Sequence, residues 1–108
     1  MSTVVVYDGD QVFQHPDAVK TYEFDFDYEN LAPTVMLTSA PTVVIPYKGP
    51  NTTPAIIGSA GLVAGNRKTI FQFSGGTEHT VYRVTVTPGT NESPFQIKPK
   101  WVYILVEK

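Results

Sequence analysis

The sequence predicts an all-β protein, a sandwich of about seven antiparallel strands, and three observations carry that expectation. Residues 68–87, KTIFQFSGGTEHTVYRVTVT, read as a strand, a Gly-Gly break and a second strand. In the first strand Thr69, Phe71 and Phe73 fall on one side and Ile70, Gln72 and Ser74 on the other. In the second, Tyr82, Val84 and Val86 oppose Arg83, Thr85 and Thr87. Period-two alternation of β-branched and aromatic residues marks a strand buried on one face. Residues 22–29 alternate as strictly, with four aromatics on one parity and four carboxylates on the other. A helix would mix the two kinds around its circumference, so a strand is predicted here too. Finally, nine prolines and eight glycines punctuate short apolar runs along the chain, as an all-β domain requires.

Taken in order, Thr3 to Tyr7 form a short strand and Asp8-Gly9-Asp10 a turn. Gln14-His15-Pro16-Asp17 is a second break, with His15 biased to extended geometry by the proline after it. The segment 22–29 puts Tyr22, Phe24, Phe26 and Tyr28 inward and Glu23, Asp25, Asp27 and Glu29 outward. Two short apolar runs follow, 35–38 and 43–45. Pro41 and Pro46 cannot donate ladder hydrogen bonds, which assigns these runs to sheet edges or to bends between sheets. Residues 47–66 are the least regular. Here 48–54 read as an exposed loop, and Ile56-Ile57 and Leu62-Val63 as two short strands or as packing under a loop. After the central pair of strands, residues 88–94 are a loop, and residues 95–97 and 101–106 supply the last strand. Both parities of 101–106 are apolar, so that strand is covered on both faces or presses one face against another subunit.

The Gly-Thr corner leading into Tyr82-x-Val84-x-Val86 sharpens the fold class. In immunoglobulin-like sandwiches a tyrosine at the corner between two strands packs its ring into the core and bonds its hydroxyl to nearby backbone. The expectation is therefore a single immunoglobulin-like domain over residues 1–108, with 1–6 as an extended N-terminal arm.

Composition narrows the function classes. The 108 residues suffice for one domain, and 42% are hydrophobic against 17% charged, which favours a packed globule over disorder. Net charge is −2 and no basic run exceeds Arg67-Lys68, so nucleic acid is not an expected partner. Without cysteine the chain has neither disulfides nor thiolate ligands. No apolar run reaches the roughly 18–20 residues of a membrane helix, and the opening residues lack the pattern of a secretory signal; a membrane is not an expected partner.

The motifs that would carry chemistry are missing. His15 and His79 stand in turn-like contexts without metal-binding spacing. The serines lie in SGG and GSAG contexts, with no Gly-x-Ser-x-Gly elbow. Gly58, Gly61 and Gly65 follow no strand and open no helix, so they do not make a phosphate loop. The acidic row has two readings, a solvated outer face or a site for a cation or a basic partner. Same-side strand neighbours lie about 7 Å apart, too far for Asp25 and Asp27 alone to chelate Ca²⁺. Neither a cofactor nor a metal nor a catalytic residue is predicted.

The chain resembles a family of small tailed-phage virion proteins, the fibre–tail adaptor or minor structural proteins. The resemblance rests on the opening Val4 to Asp10, on Tyr22-x-Phe24-Asp25-Phe26 with Leu31 behind it, and on Thr38-Ser39-Ala40 leading to Val44. Its most specific part is the strand ending Ser74-Gly75-Gly76-Thr77 followed by Thr80-x-Tyr82-x-Val84-Thr85. Phe26 stands where tryptophan is frequent in that family. The resemblance implies a non-enzymatic part of a phage virion, assembled in the host cytoplasm, that joins tail or neck components to fibres. Its partners would be other virion proteins, including further copies of itself. The alternatives are a capsid decoration protein that stabilises the head shell, and a carbohydrate-binding sandwich using Trp101, Tyr103 or Tyr47 as sugar platforms. The expected contact residues are Thr3, Val4 and Val5 in the arm, Lys48 and Pro50 in the irregular loop, and Trp101 and Tyr103 in the last strand.

Overall fold

The structure is a computed structural model that describes residues 3–26, 36–50, 52–63, 67–91 and 99–108. Tyr28, Leu31, the 95–97 segment expected to open the last strand, and Met1 and Ser2 of the expected arm lie outside the described residues. The chain is all-β, with ten strands among the described residues in place of the seven or so expected. They are β1 (Thr3–Val6), β2 (Gln11–Gln14), β3 (Val19–Asp25), β4 (Leu37–Ser39), β5 (Thr42–Lys48), β6 (Ala55–Leu62), β7 (Lys68–Gly75), β8 (Thr80–Val86), β9 (Gly89–Thr90) and β10 (Lys100–Val106).

Eight of these make two four-stranded sheets, ordered β1-β3-β7-β6 and β2-β10-β8-β5, and β4 and β9 pair separately. Two of the pairings are parallel, β1 with β3 and β2 with β10, so the sheets are mixed where wholly antiparallel ones were expected. A tight turn explains how one short segment feeds both sheets. The Asp10 amide donates to the Tyr7 carbonyl and the Tyr7 amide to the Asp10 carboxylate, reversing the chain between β1 and β2. Gly9 N–H then donates to the Trp101 carbonyl and the Asp8 carboxylate accepts from Trp101 N–H, clamping the turn to the start of β10.

The core lies between the sheets. Val6, Tyr22, Phe24, Phe71 and Phe73 come from one sheet and Tyr82, Val84, Val86, Val102, Ile104 and Val106 from the other, all essentially shut off from solvent. Each such side chain contributes about 1.5–3 kcal/mol by leaving water. Tyr22 stacks on Phe71 with ring centres 5.4 Å apart, and Phe73 meets Tyr82 across the sandwich at 5.8 Å. The five side chains on which the sandwich reading depends, Phe71, Phe73, Tyr82, Val84 and Val86, thus share one core.

The corner between β7 and β8 behaves as its sequence suggested. The Thr77 amide donates to the Tyr82 hydroxyl at 2.7 Å, and that hydroxyl donates to the Thr53 carbonyl at 2.9 Å. Gly76 has φ +91°, and a Cβ there would lie 2.9 Å from the Tyr82 ring, so both conformation and space demand glycine.

The described residues between 47 and 63 include a longer strand than expected. The pairs Ile56-Ile57 and Leu62 belong to one eight-residue strand, β6, carried across its glycines by a bulge between Gly58 and Gly61. There Ser59 takes a left-handed conformation, φ 46°. Pro46 lies in β5, at the edge of its sheet, which is where a strand proline is tolerated.

Candidate functional site

The two outer faces of the sandwich differ in chemistry. On the β1-β3-β7-β6 sheet, Thr21 stands beside Gln72, Glu23 beside Ile70 and Asp25 beside Lys68. Of the acidic row predicted over residues 23–29, Glu23 and Asp25 are described, and both are half-buried on this outer face. Among the described residues no group of three or more His, Asp or Glu side chains comes together to hold a metal ion.

The outer face of the β2-β10-β8-β5 sheet is apolar and aromatic. Register sets its rows. Gln11, Tyr103, Arg83 and Ile45 run across the four strands in one row, and Phe13, Leu105, Val81 and Lys48 in the next. Trp101, Thr85 and Val43 form a third. Several of these large side chains are open to solvent, with Phe13 66%, Val43 58%, Tyr47 52% and Trp101 38% exposed. A shallow cavity of about 110 Å³ opens among Gln11, Val12, Phe13, Val81, Tyr103 and Leu105. Scattered exposed apolar side chains are ordinary, but a contiguous field of them marks an interaction surface.

Arg83 sits in the middle of this field. Its guanidinium carbon lies 6.0 Å from the centre of the Tyr47 ring and 6.0 Å from that of Trp101. Tyr47 packs in turn against Tyr103, ring centres 5.1 Å apart. Tyr47 reaches the group because β5 changes register between Pro46 and Lys48, which adds a residue to the strand there. Arg83 Nε is buried and has no hydrogen-bond partner. Guanidinium–aromatic contacts of this kind are worth about 0.5–1 kcal/mol at exposed sites and more where water is excluded.

The residues expected to make contacts fall into three places. Trp101 and Tyr103 lie on the aromatic face. Lys48 stands at its corner, and Pro50 lies just beyond, exposed. Thr3, Val4 and Val5 are in β1, on the edge of the opposite sheet, with Val5 exposed and Val4 packed against the core. The expected N-terminal arm is thus, over Thr3–Val6, a sheet strand whose backbone pairs with β3. The structure does not bring that set to the aromatic one. Arg83, Phe13 and Ile45 were not singled out in the sequence. The signal for Arg83 was there, a lone cation at an outward position in an otherwise uncharged strand.

Neither histidine joins a buried acid. His79 is exposed, with Nε2 3.6 Å from Glu78 and Nδ1 3.6 Å from Glu107, both open to solvent. His15 Nδ1 accepts from the Asp17 amide in an exposed turn.

A family model described as "Podophage GP4 fiber-tail adaptor protein gp77" matches residues 14–95, about three-quarters of the chain. The chain belongs to this podophage adaptor family. The match takes in Arg83, Tyr47 and the Tyr82 corner, while β1 and β10, with Trp101 and Tyr103, fall beyond its bounds. Comparison with curated proteins gives no match, and comparison with solved structures gives none.

Proposed function

We propose that the chain is a non-enzymatic structural part of a podophage particle, an adaptor that joins tail or neck components to fibres. The membership of residues 14–95 in the fibre–tail adaptor family carries this reading. The aromatic face supports it physically, since adhesion between virion components needs an exposed surface that gains by losing water. Several copies act together in the particle, where modest contacts add up through multivalency. The sandwich is immunoglobulin-like. Taking β3, β5, β6, β7, β8 and β10 as strands B to G supports this, because the neighbours B–E–D and C–F–G of that fold then follow. The contact residues are Trp101, Tyr103 and Lys48 on the aromatic face, with Pro50 beside it. Thr3, Val4 and Val5 form a second, separate edge.

Quantifying and locating the chain in purified particles tests the reading. An adaptor is present at about a dozen copies or fewer, at the tail or neck, in keeping with a closed ring. Hundreds of copies spread over the head would identify a shell-decorating protein instead.

A further inference from the structure

We infer that the outer face of the β2-β10-β8-β5 sheet docks an extended, mainly apolar segment of a neighbouring virion protein, one that delivers a carboxylate to Arg83. The inference rests on the adaptor reading and adds to it the chemistry of the partner. Charge is the first argument. At the strand positions of this face the charged side chains are Arg83 and Lys48, both cationic, although the chain as a whole carries a net −2. The carboxylates Glu23 and Asp25 stand on the opposite sheet. A cationic centre within an apolar field is complementary to an acid embedded in apolar sequence.

The state of Arg83 is the second argument. Its guanidinium is held near two rings, its Nε is sealed from water without a partner, and no carboxylate of the described residues pairs with it. Arg83 is only half-buried as a whole, and a carboxylate is the acceptor that a guanidinium fork fits best. Because the surrounding rings already order the side chain, little further freedom is lost when the acid arrives. The third argument is shape. The cavity beside Tyr103, lined by Phe13 and Leu105, gives an apolar side chain a place next to Arg83 in the adjacent row.

The rival occupant is a glycan. Sugars need ring faces together with side-chain acceptors for their hydroxyls, and here the guanidinium lies over Tyr47 and Trp101 and the strand positions of the face carry no carboxylate. The observations favour the acidic segment.

The test is a nuclear magnetic resonance titration of the folded chain with a blocked heptapeptide carrying one glutamate among leucines and valines. The same peptide with glutamine in place of glutamate is the comparison. Expected are shifts of the Arg83 Nε–H and Trp101 indole signals, and binding roughly tenfold or more tighter for the glutamate peptide. Arg83→Gln removes that discrimination, and Arg83→Lys recovers only part of it. Equal binding of the two peptides, absence of binding, shifts confined to another surface, or binding of a glycan panel that Trp101→Ala abolishes would each overturn the inference. The two readings fail separately. A chain found across the head shell whose Arg83 still selects glutamate sinks the adaptor role alone. A chain found at the tail without that selection sinks the docking chemistry alone.

Discussion

Gln14, on β2 of one sheet, donates its Nε2 to the carbonyl of Phe73, on β7 of the other, at 2.7 Å. The same side chain donates to the Ala18 carbonyl at 3.1 Å, and its Oε1 accepts from the Tyr22 hydroxyl at 2.6 Å. One fully buried amide therefore ties the two sheets together beside the β2–β3 turn. Gln14→Leu keeps the bulk but strands the Tyr22 hydroxyl and the Phe73 carbonyl, at an expected loss of about 2–4 kcal/mol. Tyr22→Phe strands only the glutamine oxygen, at about 1–2 kcal/mol. Urea unfolding of both single variants and the double variant checks this, the double losing less than the sum because the two share one bond.

Burial pushes the Tyr22 hydroxyl up to about 12, from its ordinary 10.0. The neutral phenol is the form that the fold favours. Above pH 10 the unfolded chain gives up this proton while the folded chain keeps it until about pH 12. The fold then holds more protons than the unfolded state, so stability falls with rising pH across that window and its contribution is whole below it. Denaturation midpoints measured through this range should fall more steeply for the parent chain than for Tyr22→Phe. Parallel curves would contradict the assignment.

Tyr82→Phe removes the hydroxyl that the Thr77 amide donates to and that the Thr53 carbonyl accepts from. The ring remains to fill the core, so the fold persists with an expected loss of about 1–3 kcal/mol. Hydrogen exchange gives a sharper readout than stability. The Thr77 amide should exchange faster, while amides in the middle of β8 slow or quicken only with global stability.

Gly49 has φ +114°, and a Cβ there would come within 2.5 Å of the His79 carbonyl oxygen and 2.7 Å of Thr80 Cα. Gly49→Ala must therefore push the loop away from the start of β8, at about 2–4 kcal/mol. Gly61 has nothing within 4 Å of a built Cβ, and Gly61→Ala should change stability by less than about 1 kcal/mol. Thermal unfolding of the two variants decides the contrast.

Strands whose two faces meet different media were legible in the sequence. Phe71 and Phe73, Tyr82 to Val86, and Tyr22 to Phe26 alternate because one side is core, and the structure buries the expected parity in each. Of two strands that break this rule, β2 was missed and β6 was read as two short strands or as packing under a loop. In β2 the fully buried residue is the polar Gln14, inward beside Val12, and the most exposed is the apolar Phe13, because Gln14 completes a buried network and Phe13 faces the exposed aromatic field. In β6 the glycines and the bulge erase the alternation, and only pairing with β7 restores the strand. Lys100, in the gap between the expected strand segments 95–97 and 101–106, opens β10 and lies buried with its Nζ 5.8 Å from the Phe26 ring centre. Local pattern also could not show that Trp101 and Tyr103 share a surface with Tyr47, since strands far apart in the chain are made neighbours only by sheet order.

Because β1 runs parallel to β3 and β2 parallel to β10, Thr3 and Val106 both lie toward the pole of the sandwich where the β2–β3 turn sits. A tether attached beyond either strand leaves from that pole, away from the Asp8-Gly9 turn at the other. Anything grafted there, a fluorescent label or a surface anchor, would hold the protein like a handle and leave its broad aromatic flank clear for engagement.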